Sequence, residues 1–227
     1  MQWRIFSLSP VSSSRPTPSL SLPERTARLA EARRLTAAYQ AGGPAAAQAF
    51  RDLTGLLLRL TVLAPEGGVR FSSGPRGTTD LVLGGWAGPD DPLPLRDGRY
   101  LRLTVRLYVA PAAERNRLKV AHSSYQYQLD RDGDHWVFRY DYLRIPPDLN
   151  PAAHVQVNGS LTENCLPPAR PLSRVHFPTA RVSLEAVIRL LADQFGTPCG
   201  TEPEVWRPVL SETEQAFLQI AHHPPGA

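Results

Sequence analysis

The stretch Val120–Leu143 reads VAHSSYQYQLDRDGDHWVFRYDYL, two runs with strand-like alternation on either side of Asp132-Gly133. Each run switches side with period two, as a half-buried strand does. Asp-Gly is the pair favoured at the centre of a type I′ turn, where both residues need positive φ. With these two as the loop, Leu129 falls opposite Trp136, Tyr127 opposite Phe138 and Tyr125 opposite Tyr140. The aromatics meet on one face, and His122, Ser124, Gln126, Gln128, Arg139 and Asp141 collect on the other. Like sits with like, which supports both the hairpin and its register.

Further strands are expected around this hairpin. Tyr100–Val109 alternates cleanly, with Leu101, Leu103, Val105, Leu107 and Val109 on one side and Arg102, Thr104, Arg106 and Tyr108 on the other. Asp80–Trp86 and His154–Gly159 read as shorter strands; in the second, Val155 and Val157 face inward while His154, Gln156 and Asn158 do not. Upstream, the sequence predicts a helix over Pro23–Ala41, stopped by Gly42-Gly43, with a weak stripe of Leu22, Leu29 and Tyr39. A second helix, Pro44–Leu63, begins on proline and carries Phe50, Leu53, Leu57 and Leu60. Downstream, Ser183 caps a helix whose Leu184, Val187, Ile188, Leu191 and Phe195 share a face and which Gly196 ends. A last helix is expected from a Ser211/Glu214 capping box through Phe217 to about His222.

These elements make an α+β fold: an antiparallel sheet of four to five strands, with an N-terminal αα-hairpin and C-terminal helices packed on its aromatic and leucine face. The expected organisation is a flexible N-terminal arm over residues 1–21, one domain over 22–222 and a disordered tail over 223–227. Within the arm, residues 7–21 are rich in Ser and Pro, and MQWRIF ahead of them offers an edge strand.

The chain has 227 residues, 42% hydrophobic and 20% charged, as suits one globular core. No run approaches the ~18 apolar residues of a membrane span, and the N-terminus lacks the layout of a secretory signal. The expectation is a cytoplasmic protein with no membrane partner. The net charge of +4 invites an acidic partner such as RNA or DNA. Lys119 is the one lysine among 25 basic residues, and the chain holds 23 prolines and one Met, so a coding bias also enriches arginine. Cys165 and Cys199 have neither CxxC nor metal-ligand spacing and read as loop thiols.

Chemistry is sought first on the polar face of the sheet. There alternation gathers Arg102, Arg106, Tyr108, Gln126, Arg139, Asp141, His154 and Gln156. A histidine for proton transfer, a carboxylate to orient it and arginines to hold a phosphate would suffice for phosphodiester cleavage without a metal. The competing reading is the solvated side of an antiparallel sheet. His154 and His176 lack the hydroxyl residues of paired HxT or HxS phosphoesterase motifs, since Gln156 and Pro178 stand there; His176 is expected to be a hydrogen-bonded structural residue. His222-His223 lack partners with metal-ligand spacing, and Asp130, Asp132 and Asp134 lack the glutamate of a calcium loop, so no metal or cofactor is expected. There is no phosphate-binding glycine motif and no GxSxG elbow; Ser72–Gly77 reads as a loop. The hairpin aromatics could stack bases, but the leucine face of residues 101–109 needs them as core.

The segments YQYQL, WVFRYDYLR, AAHVQVNG, RVHFPT and RVSLEAVIRLLADQFG, between Tyr125 and Gly196, resemble an uncharacterised family of bacterial proteins from GC-rich genomes, a resemblance that implies no activity. The order YxY, turn, FRYD and a following His-bearing strand is also similar to TumE-type toxins of toxin–antitoxin systems. That likeness implies roles for Arg139, Tyr140, Asp141 and His154. Those toxins are shorter and lack a counterpart of the N-terminal helices. Taken together, the expectation is a nucleic-acid-associated protein of toxin or stress-response type, acting as a metal-independent ribonuclease. In it His154 and Asp141 would be catalytic, with Arg139, Arg106, Arg102 and Gln126 binding substrate. The alternative is a non-catalytic interaction or regulatory protein that binds another protein.

Overall fold

A computed structural model describes residues 20–73, 81–109, 118–146, 151–158, 175–178 and 180–221. Its elements, in chain order, are α1 (Leu22–Ala41), α2 (Ala46–Leu60), β1 (Val69–Ser73), β2 (Leu81–Gly85), β3 (Leu93–Pro94), β4 (Tyr100–Val109), β5 (Leu118–Gln128), β6 (Trp136–Leu143), β7 (Ala153–Val157), α3 (Leu184–Arg189) and α4 (Pro203–Ala221). The chain is α+β, and its sheet is antiparallel throughout.

Seven strands are present rather than four or five, in the order β1-β2-β4-β5-β6-β7, with β3 on β4. The two unexpected strands carry little periodic signal. VRFSS is short, and β3 is a Leu-Pro pair at the margin of β4, where proline's missing donor is harmless. The expected strands over 80–86 and 154–159 appear as Leu81–Gly85 and Ala153–Val157.

Between β5 and β6 the expected register holds along the strands: Tyr125 faces Tyr140 and Tyr127 faces Phe138. It fails at the tip, where Gln128 rather than Leu129 faces Trp136. Gly133 has φ +86°, but Asp132 does not share its positive φ, so the loop is not type I′. The cause is Asp130, whose carboxylate accepts from the backbone N–H of Gly133 (2.6 Å), Asp134 (3.0 Å) and His135 (3.0 Å). A side chain that organises a wider loop displaces the two-residue turn.

The aromatic and leucine face is the core. Leu101, Leu103 and Leu107 are sealed from solvent with Tyr127 and Phe138, and Phe195 stacks on both rings at 5.1 and 5.5 Å. These rings are therefore closed to base stacking. Side chains from all four helices join the same core. Val155 and Val157 keep the expected face, opposite Tyr140 and Phe138, yet remain exposed at the edge strand β7.

Helix boundaries differ from expectation in three places. α2 begins at Ala46 and ends at Leu60, because Ala64 leaves the helix to donate to the Pro94 carbonyl and Leu63 bridges to Leu95. Leu22 is exposed on α1; the buried residues there are Ala32 and Leu35, and α1 packs on α4 as well as on α2. Helix α4 starts at Pro203, so Ser211 lies inside it, and Glu214 accepts from Ser183 (2.7 Å) and pairs with Arg189 instead of closing a capping box. Ser183 does cap α3 through the Ala186 N–H (3.0 Å). The helix then widens into a π-turn over Leu190–Gln194, and Gly196 ends it at φ +67°. MQWRIF, the rest of the arm to residue 19, residues 74–77, Cys165 and the tail from His222 lie outside the described residues.

Candidate functional site

The face of the sheet turned away from the helices is built by register. One row across it runs Ser72, Val82, Arg106, His122 and Leu143; the next runs Arg70, Gly84, Thr104, Ser124, Asp141 and His154; a third runs Arg102, Gln126, Arg139 and Gln156. A bulge between β4 and β5 leaves Ala121 without a partner on β4, while its carbonyl accepts from the Arg144 N–H (2.9 Å). It returns Val120 and Leu118 to the core while His122 stays on the polar face opposite Arg106.

Two loops cover part of this face. Residues 86–92 fold onto β2 and β4: the Thr104 hydroxyl donates to the Pro89 carbonyl (3.0 Å), and a Cβ on Gly84 would meet Pro89 Cα at 2.4 Å. The hairpin tip folds onto β4 and β5, and an Arg131–Asp91 ion pair at 2.6 Å joins the two loops. Arg102 and Gln126 lie under that cover. Arg102 donates to the Asp132 carbonyl (3.3 Å); Gln126 is buried and donates to Gln128 (2.9 Å), which in turn holds the carbonyls of Asp130 and Arg131. Both residues hold the hairpin loop in place.

The part that the described loops leave open centres on Asp141. Its Oδ2 accepts from Arg139 Nε (2.7 Å) and lies 3.8 Å from His154 Nε2, which faces it across β6 and β7. At that distance the carboxylate and imidazole interact through charge rather than a direct hydrogen bond. Arg139 also donates to Gln156 (2.6 Å), so its guanidinium is braced on two sides. Among the described residues, Arg106 Nε, Arg102 Nε and His154 Nδ1 are buried polar atoms without a hydrogen-bond partner. Such atoms are costly in a finished fold; three of the six among the described residues are on this face, and the others belong to Thr36, Glu202 and Trp206.

His122 completes the cluster. Burial holds its pKa below the ordinary histidine value; the charge of Asp141 pulls the other way, and Arg106 and Arg139 add to the lowering. Of the residues expected in the site, Arg139 bonds to Asp141, His154 faces that carboxylate at 3.8 Å, and Arg106 lies on the same face opposite His122. Arg102 and Gln126 lie apart under the loops. Alternation already assigns His122 and Gln156 to this face, but only strand order reveals their company. His176, expected as a hydrogen-bonded structural residue, is exposed and meets no hydrogen-bond partner among the described residues. No described helix is long and apolar enough to cross a membrane. No protein-family model, curated protein or solved structure matches this chain.

Proposed function

We propose that this protein cleaves RNA without a metal ion, at the part of its polar sheet face that carries Asp141. Support comes above all from the carboxylate of Asp141, which engages Arg139 and faces the imidazole of His154 at 3.8 Å. An imidazole on the open strand face can give a proton to a leaving oxygen, and the carboxylate facing it balances the charge it carries when it does. Arg139 and Arg106 supply positive charge where a phosphate gathers negative charge. His154 is thus the acid, Asp141 its positioning residue, and the two arginines the phosphate clamp. The similarity of YxY, FRYD and the following His to TumE-type toxins favours the same chemistry, and growth arrest on induced expression is the matching cellular outcome.

The test is cleavage of a short single-stranded RNA by the full chain in EDTA. Cleavage is expected, with His154→Ala slower by about 100-fold or more, and the all-DNA sequence is expected to stay intact because it lacks the 2′-hydroxyl nucleophile. Metal-dependent cleavage, or a fully active His154→Ala protein, would overturn the proposal.

A further inference from the structure

Resting on that reading, we infer that His122 is the second proton-transfer group of the site, the general base that activates the RNA 2′-hydroxyl while His154 protonates the leaving 5′-oxygen. The two histidines stand on β5 and β7, with β6 between them, so their strands lie roughly 10 Å apart. Both project from the same face, because His122 pairs with Arg106 and Leu143 whereas His154 pairs with Asp141, one step along the same side of β6. A phosphodiester laid across β6 meets one imidazole from β5 and the other from β7, with Arg106 beside the first and the Arg139–Asp141 pair beside the second.

The environments of the two rings differ in the sense the roles need. His122 is half-buried beside Arg106 of β4, with Asp141 and Arg139 of β6 and His154 of β7 beyond; burial and the arginines favour its neutral form, against the pull of Asp141. Neutral imidazole accepts a proton. His154 instead has the carboxylate of Asp141 before it, 3.8 Å from Nε2, and stands on the other side of β6 from His122.

The balanced step is as follows. His122 takes the 2′-hydroxyl proton, the 2′-oxygen forms a bond to phosphorus, and the bond from phosphorus to the 5′-oxygen breaks as His154 gives that oxygen its proton. The products are a 2′,3′-cyclic phosphate and a 5′-hydroxyl end. Water then resets the protons on the two rings, and no oxidant, reductant or metal is consumed.

Two substrates separate the roles. One is a short RNA, whose 5′-alkoxide needs a proton to leave; the other is uridine 3′-(4-nitrophenyl phosphate), whose phenolate leaves without one. On RNA, His122→Asn and His154→Ala should each lose about 100-fold or more. On the nitrophenyl ester, His154→Ala should recover most of its rate and His122→Asn should not. His122→Gln and a thermal melt of each variant guard against misfolding. The wild-type pH–rate profile, independent of any substitution, should be bell-shaped, with an acidic limb below the ordinary histidine range. A His122 variant with wild-type activity on RNA, recovery of the His122 variants on the nitrophenyl ester, or a profile with no acidic limb overturns the assignment and leaves the ribonuclease reading intact. A wild-type protein that cleaves neither substrate overturns both.

Discussion

Glu185 shows what a single buried residue does to stability. It sits in the first turn of α3, almost wholly enclosed, where the helix N-terminus favours its charge but loss of water opposes it. Burial wins and raises its pKa; the bond from its own backbone N–H and the Thr213 hydroxyl oppose that, nearby Glu214 adds to the raising, and Arg189 subtracts from it. Beside it, burial first and then the Glu185 charge push Tyr125 up to about 12. A carboxyl whose folded-state pKa exceeds its unfolded one contributes fully below the unfolded value and loses that contribution as pH rises through the folded value. Glu185→Gln removes the ionisation and keeps the shape. It should match the wild type in urea denaturation at pH 4 and be the more stable at pH 8, on the order of 1 kcal/mol for each pH unit between the two pKa values. A variant less stable than wild type at pH 8 would mean that the ionised form is the one the fold selects.

At the scale of the element, the β5–β6 hairpin is governed by Asp130. Burial alone would raise its pKa, but bonds from the His135 ring and from the backbone N–H groups of Gly133, His135 and Asp134 overcome this and lower it. Its contribution is thus present above the usual carboxylate range and is lost as pH falls through the lowered folded-state value. Asp130→Ala should cost about 1–2 kcal/mol at neutral pH, like the loss of a helix cap, and the cost should shrink in acid. RNA cleavage by this variant should be unchanged, since Asp141 and His154 belong to the far half of β6 and to β7; a parallel loss of activity would tie the loop to the site. Asp130 also shows why the sequence reading fails where it does. Alternation assigns the faces of Tyr100–Val109 and of residues 122–127 and 138–141, because period two survives the loop between them; it loses Leu118 and Val120, which the bulge in β5 turns to the core, and the hairpin tip. The tip register depends on whether a side chain or the Asp-Gly dipeptide controls the turn, and the side chain wins. The start of α4 is hidden for a related reason: Ser211 and Glu214 look like a capping box, but burial of Trp206, Val209 and Leu210 carries the helix through Ser211, and through Pro208 as well. Arg139 and Asp141 can be paired from the sequence alone, two residues apart on one strand. The company of His154, His122 and Arg106 needs the order β4-β5-β6-β7, which periodicity does not encode.

At the scale of the whole molecule, all four helices add side chains to the core on one face of the sheet, and the described loops cover part of the other; charge gathers on the rest of that second face. Arg106 and Arg139 both stand there, and a net charge of +4 leaves the rest of the surface unable to cancel them. Each phosphate contact releases condensed counterions, so binding of a single strand should weaken with salt, the logarithm of affinity falling by about 0.7 per contact for each unit of log salt. A 2′-deoxy oligonucleotide isolates this term, because it can bind but has no nucleophile to be cleaved. Arg106→Gln should reduce the slope by about one contact, roughly 0.7, and leave the Arg139–Asp141 pair in place. Arg139→Gln should reduce the slope similarly but cost more cleavage than binding, since it also leaves Asp141 without its closest cation and alters the field at His154. Fluorescence anisotropy from 50 to 300 mM salt measures the slopes, and a slope unchanged by Arg106→Gln would remove that arginine from the phosphate clamp and confine the site to β6 and β7.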